Sequence, residues 1–330
     1  MKVFYFLLFT FYCCNANAQY APQAGLPGSA AIDASSSMFT GWATQCYIQR
    51  GFMDIANPSL GYAFSGDSSL AIGAPDGSVV SLGDSGIAVL TFANPIYNGP
   101  GPDFAVFENG FRNPADSSQA FLELAFVEVS SDGINYFRFP ASSLTQTQVQ
   151  IGNGDYLTAS NLNNLAGKYV AMYGTPFDLQ ELSGITGLDI NNITHVRIID
   201  VVGSISGHSS LDNVGRIIND PYPTPFPSSG FDLDAVGVIH EVVGIKSVQD
   251  NVSLVVYPNP ATDIIMISIK GIVPDGLRAT LTSITGNILQ QLTLTQPENT
   301  ISIEQYPAGM YYLVLYDVNG NKWVEKVTKY

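Results

Sequence analysis

Leu122-Glu123-Leu124-Ala125-Phe126-Val127-Glu128-Val129-Ser130-Ser131-Asp132-Gly133-Ile134-Asn135-Tyr136 is the stretch that decides the fold class. A β-rich run stops at Asp132-Gly133, where Gly supplies the backbone freedom that a tight turn needs. Tyr136 then restarts a strand whose ring packs on the sheet. The alternation slips inside the run. Leu122, Leu124 and Phe126 share one phase, while Val127 and Val129 share the other. A β-bulge, or a strand buried on both faces, accounts for that slip.

Working outward, the same grammar repeats. Further strands are expected at Ile87–Phe92, Phe104–Glu108, Tyr136–Phe139, Lys168–Tyr173, His195–Val202 and Phe231–Ile239. Gly, Pro, Asn and Asp separate them, and Asn153-Gly154-Asp155 marks another turn. Leu157–Ala166 is the one short helix the pattern suggests. No fixed-period repeat is present. Short β-rich runs with this punctuation point to an all-β sandwich or barrel.

The hairpin Val127–Tyr136 resembles the strand, S-x-D-G, aromatic-strand hairpin of discoidin-like and galactose-binding-like jelly rolls. Two more segments widen the likeness: Gly99-Pro100-Gly101-Pro102-Asp103-Phe104-Ala105-Val106-Phe107-Glu108-Asn109 and Gly230-Phe231-Asp232-Leu233-Asp234-Ala235-Val236-Gly237-Val238. Together the three resemble a family of uncharacterised secreted cell-surface proteins. The resemblance implies a jelly-roll-like β-sandwich over residues 19–243 and brings no activity with it.

Beyond a linker at 244–252 the text changes. Tyr257-Pro258-Asn259-Pro260 precedes the strand Ile264–Ile269; Gly286 sits in Ser283–Asn287; Gly309 and Tyr311 sit in Pro307–Leu313; Lys326 sits in Lys322–Val327. Ile265, Ile267 and Ile269 alternate with their neighbours, as a half-buried strand requires. Leu281–Ile284, Ile288–Thr293, Met310–Tyr316 and Lys322–Val327 supply further strands. The last two form a hairpin around Asp317–Asn321. These four motifs, in this order over 253–330, resemble the type A C-terminal sorting domain of the type IX secretion system of Bacteroidota. The resemblance implies a small Ig-like antiparallel β-sandwich and recognition by the type IX machinery. It also implies removal of the tail by a sortase-like peptidase or retention at the surface. The other end agrees. Lys2, the apolar run Val3–Tyr12 and Ala16-Asn17-Ala18 read as a signal peptide over 1–18, too short for a membrane span. Cys46 is then the one remaining cysteine, so no intrachain disulfide forms.

Charge narrows the partners. Residues 19–243 carry 21 Asp or Glu against 6 Lys or Arg, a net of −15. Such a surface repels nucleic acid and anionic headgroups and suits a divalent cation or a neutral glycan. Asp103, Glu108, Asp200, Asp232 and Asp234 flank or interrupt apolar strands, where an unpaired carboxylate is expensive. Ca²⁺ is one neutraliser, because it takes several carboxylate and carbonyl oxygens. In jelly-roll carbohydrate-binding modules, acids of the first and last strands commonly hold a structural Ca²⁺, and Asp232 and Asp234 suit the last-strand role. A satisfied network of Arg197, Arg216, loop amides or water is the other reading.

Two loops are candidate ligand contacts. Asn219–Gly230 holds four prolines that stiffen it and could present Tyr222 and Phe226 as a stacking platform. Glu108–Asn113 offers Arg112 and Asn113. In both, the rings could equally pack down on the sandwich. Trp42 reads as a core residue or a stacking one. Gly83-Asp84-Ser85-Gly86 resembles a serine-protease nucleophile motif, but Ile87 follows it and all three histidines come later, so it reads as a turn. No G-x-S-x-G, H-E-x-x-H, phosphate-loop or dinucleotide pattern occurs. The expectation is a secreted, non-catalytic binding or adhesion module. A polysaccharide hydrolase or lyase and a purely structural surface protein are the alternatives.

Overall fold

A computed structural model describes residues 20–242, 253–270, 273, 276–316 and 322–330. The signal-peptide reading of 1–18, the linker at 244–252 and the turn at 317–321 lie outside the described residues. The chain divides into two compact units, Met1–Val242 and Val243–Tyr330. Among the described residues no helix is long and apolar enough to cross a membrane.

The first unit is built on one long antiparallel sheet that curls on itself. Its strands run in the order Ile32–Asp33, Tyr173–Phe177, Phe104–Glu108, Asp232–Val238, Gly41–Gln49, Ile87–Ile96, Ile193–Asp200, Ala125–Ser130 and Phe137–Arg138. The strand Gly41–Gln49 belongs to both halves. Gly41 and Trp42 pair with the last strand, and Ala43–Gln49 pair with Ile87–Phe92. The register shifts between Ala43 and Gln45, which lets the strand bend and bring the two halves face to face. Phe104, Val106, Val236 and Val238 of one half then share a core with Leu90, Val127, Val196 and Ile198 of the other. This is the jelly-roll-like sandwich that the sequence implies.

The slip in Leu122–Ser130 reflects burial on both faces. Ala125, Val127 and Val129 enter the main core. Leu122, Leu124 and Phe126 enter a second one with Leu157, Leu162, Tyr169, Val201 and Ile218. Glu128, on that outer face, is held by Arg138 at 2.8 Å and by Arg197. Past the strand, Asp132 accepts from the amides of Ile134 and Asn135, both at 2.8 Å, and fixes the turn. Trp42 packs between Phe39 and Phe107, with ring centroids 4.9 and 5.7 Å away.

Three expectations need correction. Leu157–Ala166 is not a helix but a single 3-10 turn, Ala159–Asn161, between two short bridging strands. Asn164 adopts a φ of 50°, outside the right-handed helical region, and its side chain donates to the Pro140 carbonyl and to Glu181. The strand expected at Lys168–Tyr173 begins at Tyr173 instead. Gly167 passes so close over the Glu123 carbonyl that a Cβ there would lie 1.8 Å from its oxygen, so this stretch is a crossing rather than a strand. Tyr136–Phe139 shortens to Phe137–Arg138.

The second unit packs a three-stranded sheet (Ser253–Tyr257, Ile264–Lys270, Glu298–Ser302) against a four-stranded one. The four are Arg278–Ser283, Ile288–Thr293, Gly309–Tyr316 and Lys322–Lys329. Ile265, Ile267 and Ile269 face the core as their alternation requires, with Leu281, Leu313, Leu315 and Val327 opposite. The motif Tyr257–Pro260 has a structural task. Asn259 donates to the Lys326 carbonyl and accepts from the Thr328 amide at 2.9 Å, so one side chain imitates a strand partner. Gly286 takes a φ of 81° in its turn. The Tyr311 hydroxyl donates to the Pro307 carbonyl, and Gly309 opens its strand opposite Lys329.

Phe104 stacks on Phe177 at 5.3 Å inside the main core and is fully buried. Phe104→Ala should lower stability by about 3–5 kcal/mol in denaturant titration. Ile134→Ala, at a residue 81% exposed, should change it by no more than about 0.5 kcal/mol.

Candidate functional site

The five acids proposed as metal ligands do not form one set. Asp103 lies at the start of Phe104–Glu108 and is fully satisfied. It accepts from the Gly99 and Leu179 amides and from His240 Nδ1, each at 2.7 Å. Asp234 accepts from the Asp76 and Gly77 amides at 3.2 and 3.1 Å. Asp200, in phase with Val196 and Ile198, accepts from Ser85 at 2.9 Å and Phe231 at 2.7 Å. It thereby ties the Gly83–Gly86 turn to the start of the last strand. Gly230 is required beside it: its φ is 70°, and a Cβ would meet Asp200 Oδ1 at 2.6 Å. Among the described residues no three His, Cys, Asp or Glu side chains converge on a point that would hold a metal ion. Loop amides, with His240 at Asp103, do much of the neutralising at Asp103, Asp200 and Asp234.

Glu108 and Asp232 do meet, and they meet acids not named as candidates from the sequence. Asp232 accepts from Ser81 Oγ and from Asn109 Nδ2 at 3.0 Å. Glu108 accepts from the Gly110 amide at 2.8 Å through one oxygen, while its other oxygen is buried without a partner. Glu123 is 6% exposed and makes no side-chain hydrogen bond to a described residue. Burial holds its carboxyl well above the usual carboxylate range, and the charges of Asp232, Glu108, Asp220 and Asp200 add to the effect. Asp220, which accepts from the Leu124 amide at 2.7 Å, is raised likewise by burial and then by Asp200.

Glu123 and Asp232 open into a pocket of about 250 Å³. Asn109 and Phe111 line it from the loop after Phe104–Glu108, and Thr224, Phe226 and Ser228 from the proline loop. Phe121 and Asn153 complete the wall. Phe111 pairs with Phe121 across two strands, Phe111–Asn113 and Asp116–Phe121, and their rings stack at 5.1 Å and 13°. The two loops that the sequence offers separately therefore share one site.

Of their four candidate residues only Phe226, 46% exposed, reaches that site. The Tyr222 hydroxyl donates to Asp54 at 2.9 Å. Arg112 is spent on the Ala24 carbonyl at 2.6 Å. Asn113 bonds Gln119 and caps its own turn. The stiffness argument for the loop holds, since Asn219 accepts from Ile151 at 3.0 Å and Pro227 accepts from the Phe64 and Ser65 amides at 3.0 Å. Tyr222 is instead tied to Asp54, a partner far away in sequence. A larger depression of about 590 Å³ beside Gln146, Gln150 and Tyr156 contains no buried charge. Burial pushes the Cys46 thiol up to about 12.

Asp84, at the Gly83–Gly86 turn, accepts from the Ile55 amide at 2.7 Å. Burial raises its pKa to about 6, with the Asp54 charge adding to the rise. The unfolded chain binds that proton only below about pH 4. The folded state keeps it up to about 6, so stability should fall as pH rises through this window, by at most about 3 kcal/mol from this group. Asp84→Asn should flatten that part of the slope in urea titrations at stepped pH. An unchanged slope would assign the titration to other groups.

Residues 255–329 match the family model described as a secretion system C-terminal sorting domain. No curated protein matches the chain. Among solved structures, PorZ is described as an essential bacterial surface component of the type-IX secretion system of Porphyromonas gingivalis. It shares 20% identity over 29% of this chain and 14% of its own, with a TM-score of 0.21. The BSP domain of a biofilm associated protein shares 8% over 74% and 48%, with a TM-score of 0.22. A β-1,2-glucanase from Parabacteroides distasonis shares 10% over 89% and 38%, with a TM-score of 0.23. The chain spans less than half the length of each, and likenesses this loose carry no argument about activity. The tail is another matter: its motifs, its sandwich and its family model agree, so residues 255–329 are a type IX C-terminal sorting domain and the protein is secreted to the cell surface or the outer environment.

Proposed function

We propose that the exported module is a non-catalytic glycan-binding or adhesion module. Its ligand seat is the pocket between the Glu108–Asn113 loop and the proline loop. The observation that carries this reading is the pairing of aromatic and polar walls. Phe226 and Phe111, the latter backed by the buried ring of Phe121, offer faces on which a sugar ring can stack, and Asn109, Asn153, Thr224 and Ser228 offer hydrogen bonds for its hydroxyls. Prolines and buried acids hold the loops before any ligand arrives, which lowers the ordering cost of binding. No metal is needed for this reading. Export through the type IX machinery is followed by removal of the tail by a sortase-like peptidase or by its retention at the surface.

The mature protein, screened against extracellular polysaccharides and oligosaccharides, should bind a defined subset. Phe226→Ala should weaken that binding by about 2 kcal/mol, on the order of thirtyfold, with little effect on the melting temperature. Binding indifferent to this change and to Phe111→Ala would refute the seat. A hydrolase or lyase is favoured by one specific observation: two carboxyls, Glu123 and Asp232, line the same pocket in different environments. Under that reading the bound polysaccharide is cleaved, and Glu123→Gln abolishes product release while binding persists.

A further inference from the structure

Every Lys and Arg among the described residues of the first unit is already committed. Arg50 donates to the carbonyls of Ser65, Ser81 and Gly66. Arg112 is held by the Ala24 carbonyl. Arg138 and Arg197 share Glu128, and Arg216 pairs with Asp212. Lys168 is buried over the rings of Tyr20 and Tyr169. These six are all the Lys and Arg between residues 19 and 243. None forms an ion pair with the pocket acids. Glu123, buried and with no hydrogen bond from a described residue, stands on the pocket wall. Asp232 beside it accepts hydrogen bonds only from Ser81 and Asn109, and the charge of Arg50 acts on it without a direct bond. Glu108 adds a third, partly unsatisfied carboxyl behind them.

We infer that this pocket selects a glycan carrying a protonated amine, an unacetylated amino sugar, with its ammonium between Glu123 and Asp232 and its ring against Phe111 and Phe226. The inference rests on the glycan-binding reading and adds the charge of the ligand to it. Three alternatives fit less well. An acidic sugar would meet like charge. A neutral sugar would leave the acids as they are. A metal ion wants several carboxylates converging, which no described trio provides. An ammonium needs only one or two acceptors, and aromatic faces attract it as well. Burial, and then the charges of Asp232, Glu108, Asp220 and Asp200, hold the Glu123 carboxyl well above the usual carboxylate range. Arrival of the ammonium favours the carboxylate, so the Glu123 proton passes to solvent on binding.

The test uses calorimetry on the full mature protein with two matched probes, a glucosamine tetrasaccharide and its fully N-acetylated counterpart, at a pH where the free amines are charged. The amine form should bind at least about tenfold more tightly, with a proton released, as read from buffers of different ionisation heat. Glu123→Gln should bring the two affinities together. Asp232→Asn should narrow the gap as well and serves if the first variant fails to fold. Equal affinities, or tighter binding of the acetylated form, would overturn the inference and leave glycan binding standing. Binding of neither would overturn the inference and leave glycan binding to the broader screen. Ca²⁺ alone raising the melting temperature of the wild type but not of Glu123→Gln would also overturn it, by giving the acids to a metal.

Discussion

Buried carboxylates without basic partners are the constraint on which the rest of the first unit depends. Asp84, Asp200, Asp220, Glu108 and Asp232 are each at most 7% exposed, and each takes hydrogen bonds from a loop rather than from Lys or Arg. An amide donor supplies part of what a cation would, and the donor is itself a piece of the chain that needs fixing. Asp200 fixes two such pieces, the amides of Ser85 and Phe231. Asp220 ties the proline loop to Leu124. The acids therefore act as the joinery of the loop end of the sandwich, and the pocket is the space between the parts they hold. Glu123 is the exception, since it takes no hydrogen bond from a described residue and faces the pocket.

The curl of the sheet explains why the acids gather. Gly41–Gln49 serves both halves, so the two halves close over one core. The first residues of Asp232–Val238, the last of Phe104–Glu108 and the last of Ile193–Asp200 then come to the same region, as the mutual repulsion of their carboxylates records. Side chains that look like scattered irregularities along the chain become neighbours through topology.

Much of this architecture was legible in the sequence, and the losses have particular causes. Strand phase could be read wherever one face is buried, as in Ile264–Lys270 and Ile193–Asp200. It could be read in Leu122–Ser130 only as a slip, because both faces there are buried by different cores. Asp103 and Asp234 looked alike as acids among apolar residues, yet turn amides and His240 satisfy them, and no local signal shows which amides will fold back. Glu123 was overlooked for the opposite reason. It lies between two leucines in an ordinary strand pattern, and only the crossing at Gly167 and the approach of the proline loop bury it. The sorting domain was more legible, because its motif residues work locally or at strand ends: Gly286 in its turn, and Asn259 bridging to the final strand.

Cys46 has a consequence for the journey this protein makes. It is the one cysteine of the described residues, half-buried in the main sheet, with its thiol held protonated at any physiological pH. Only the thiolate attacks a disulfide or an oxidant at a useful rate. The thiol of the folded module therefore stays out of disulfide exchange. Among the described residues the module has no second thiol with which to form an internal bridge, so its fold owes nothing to oxidation.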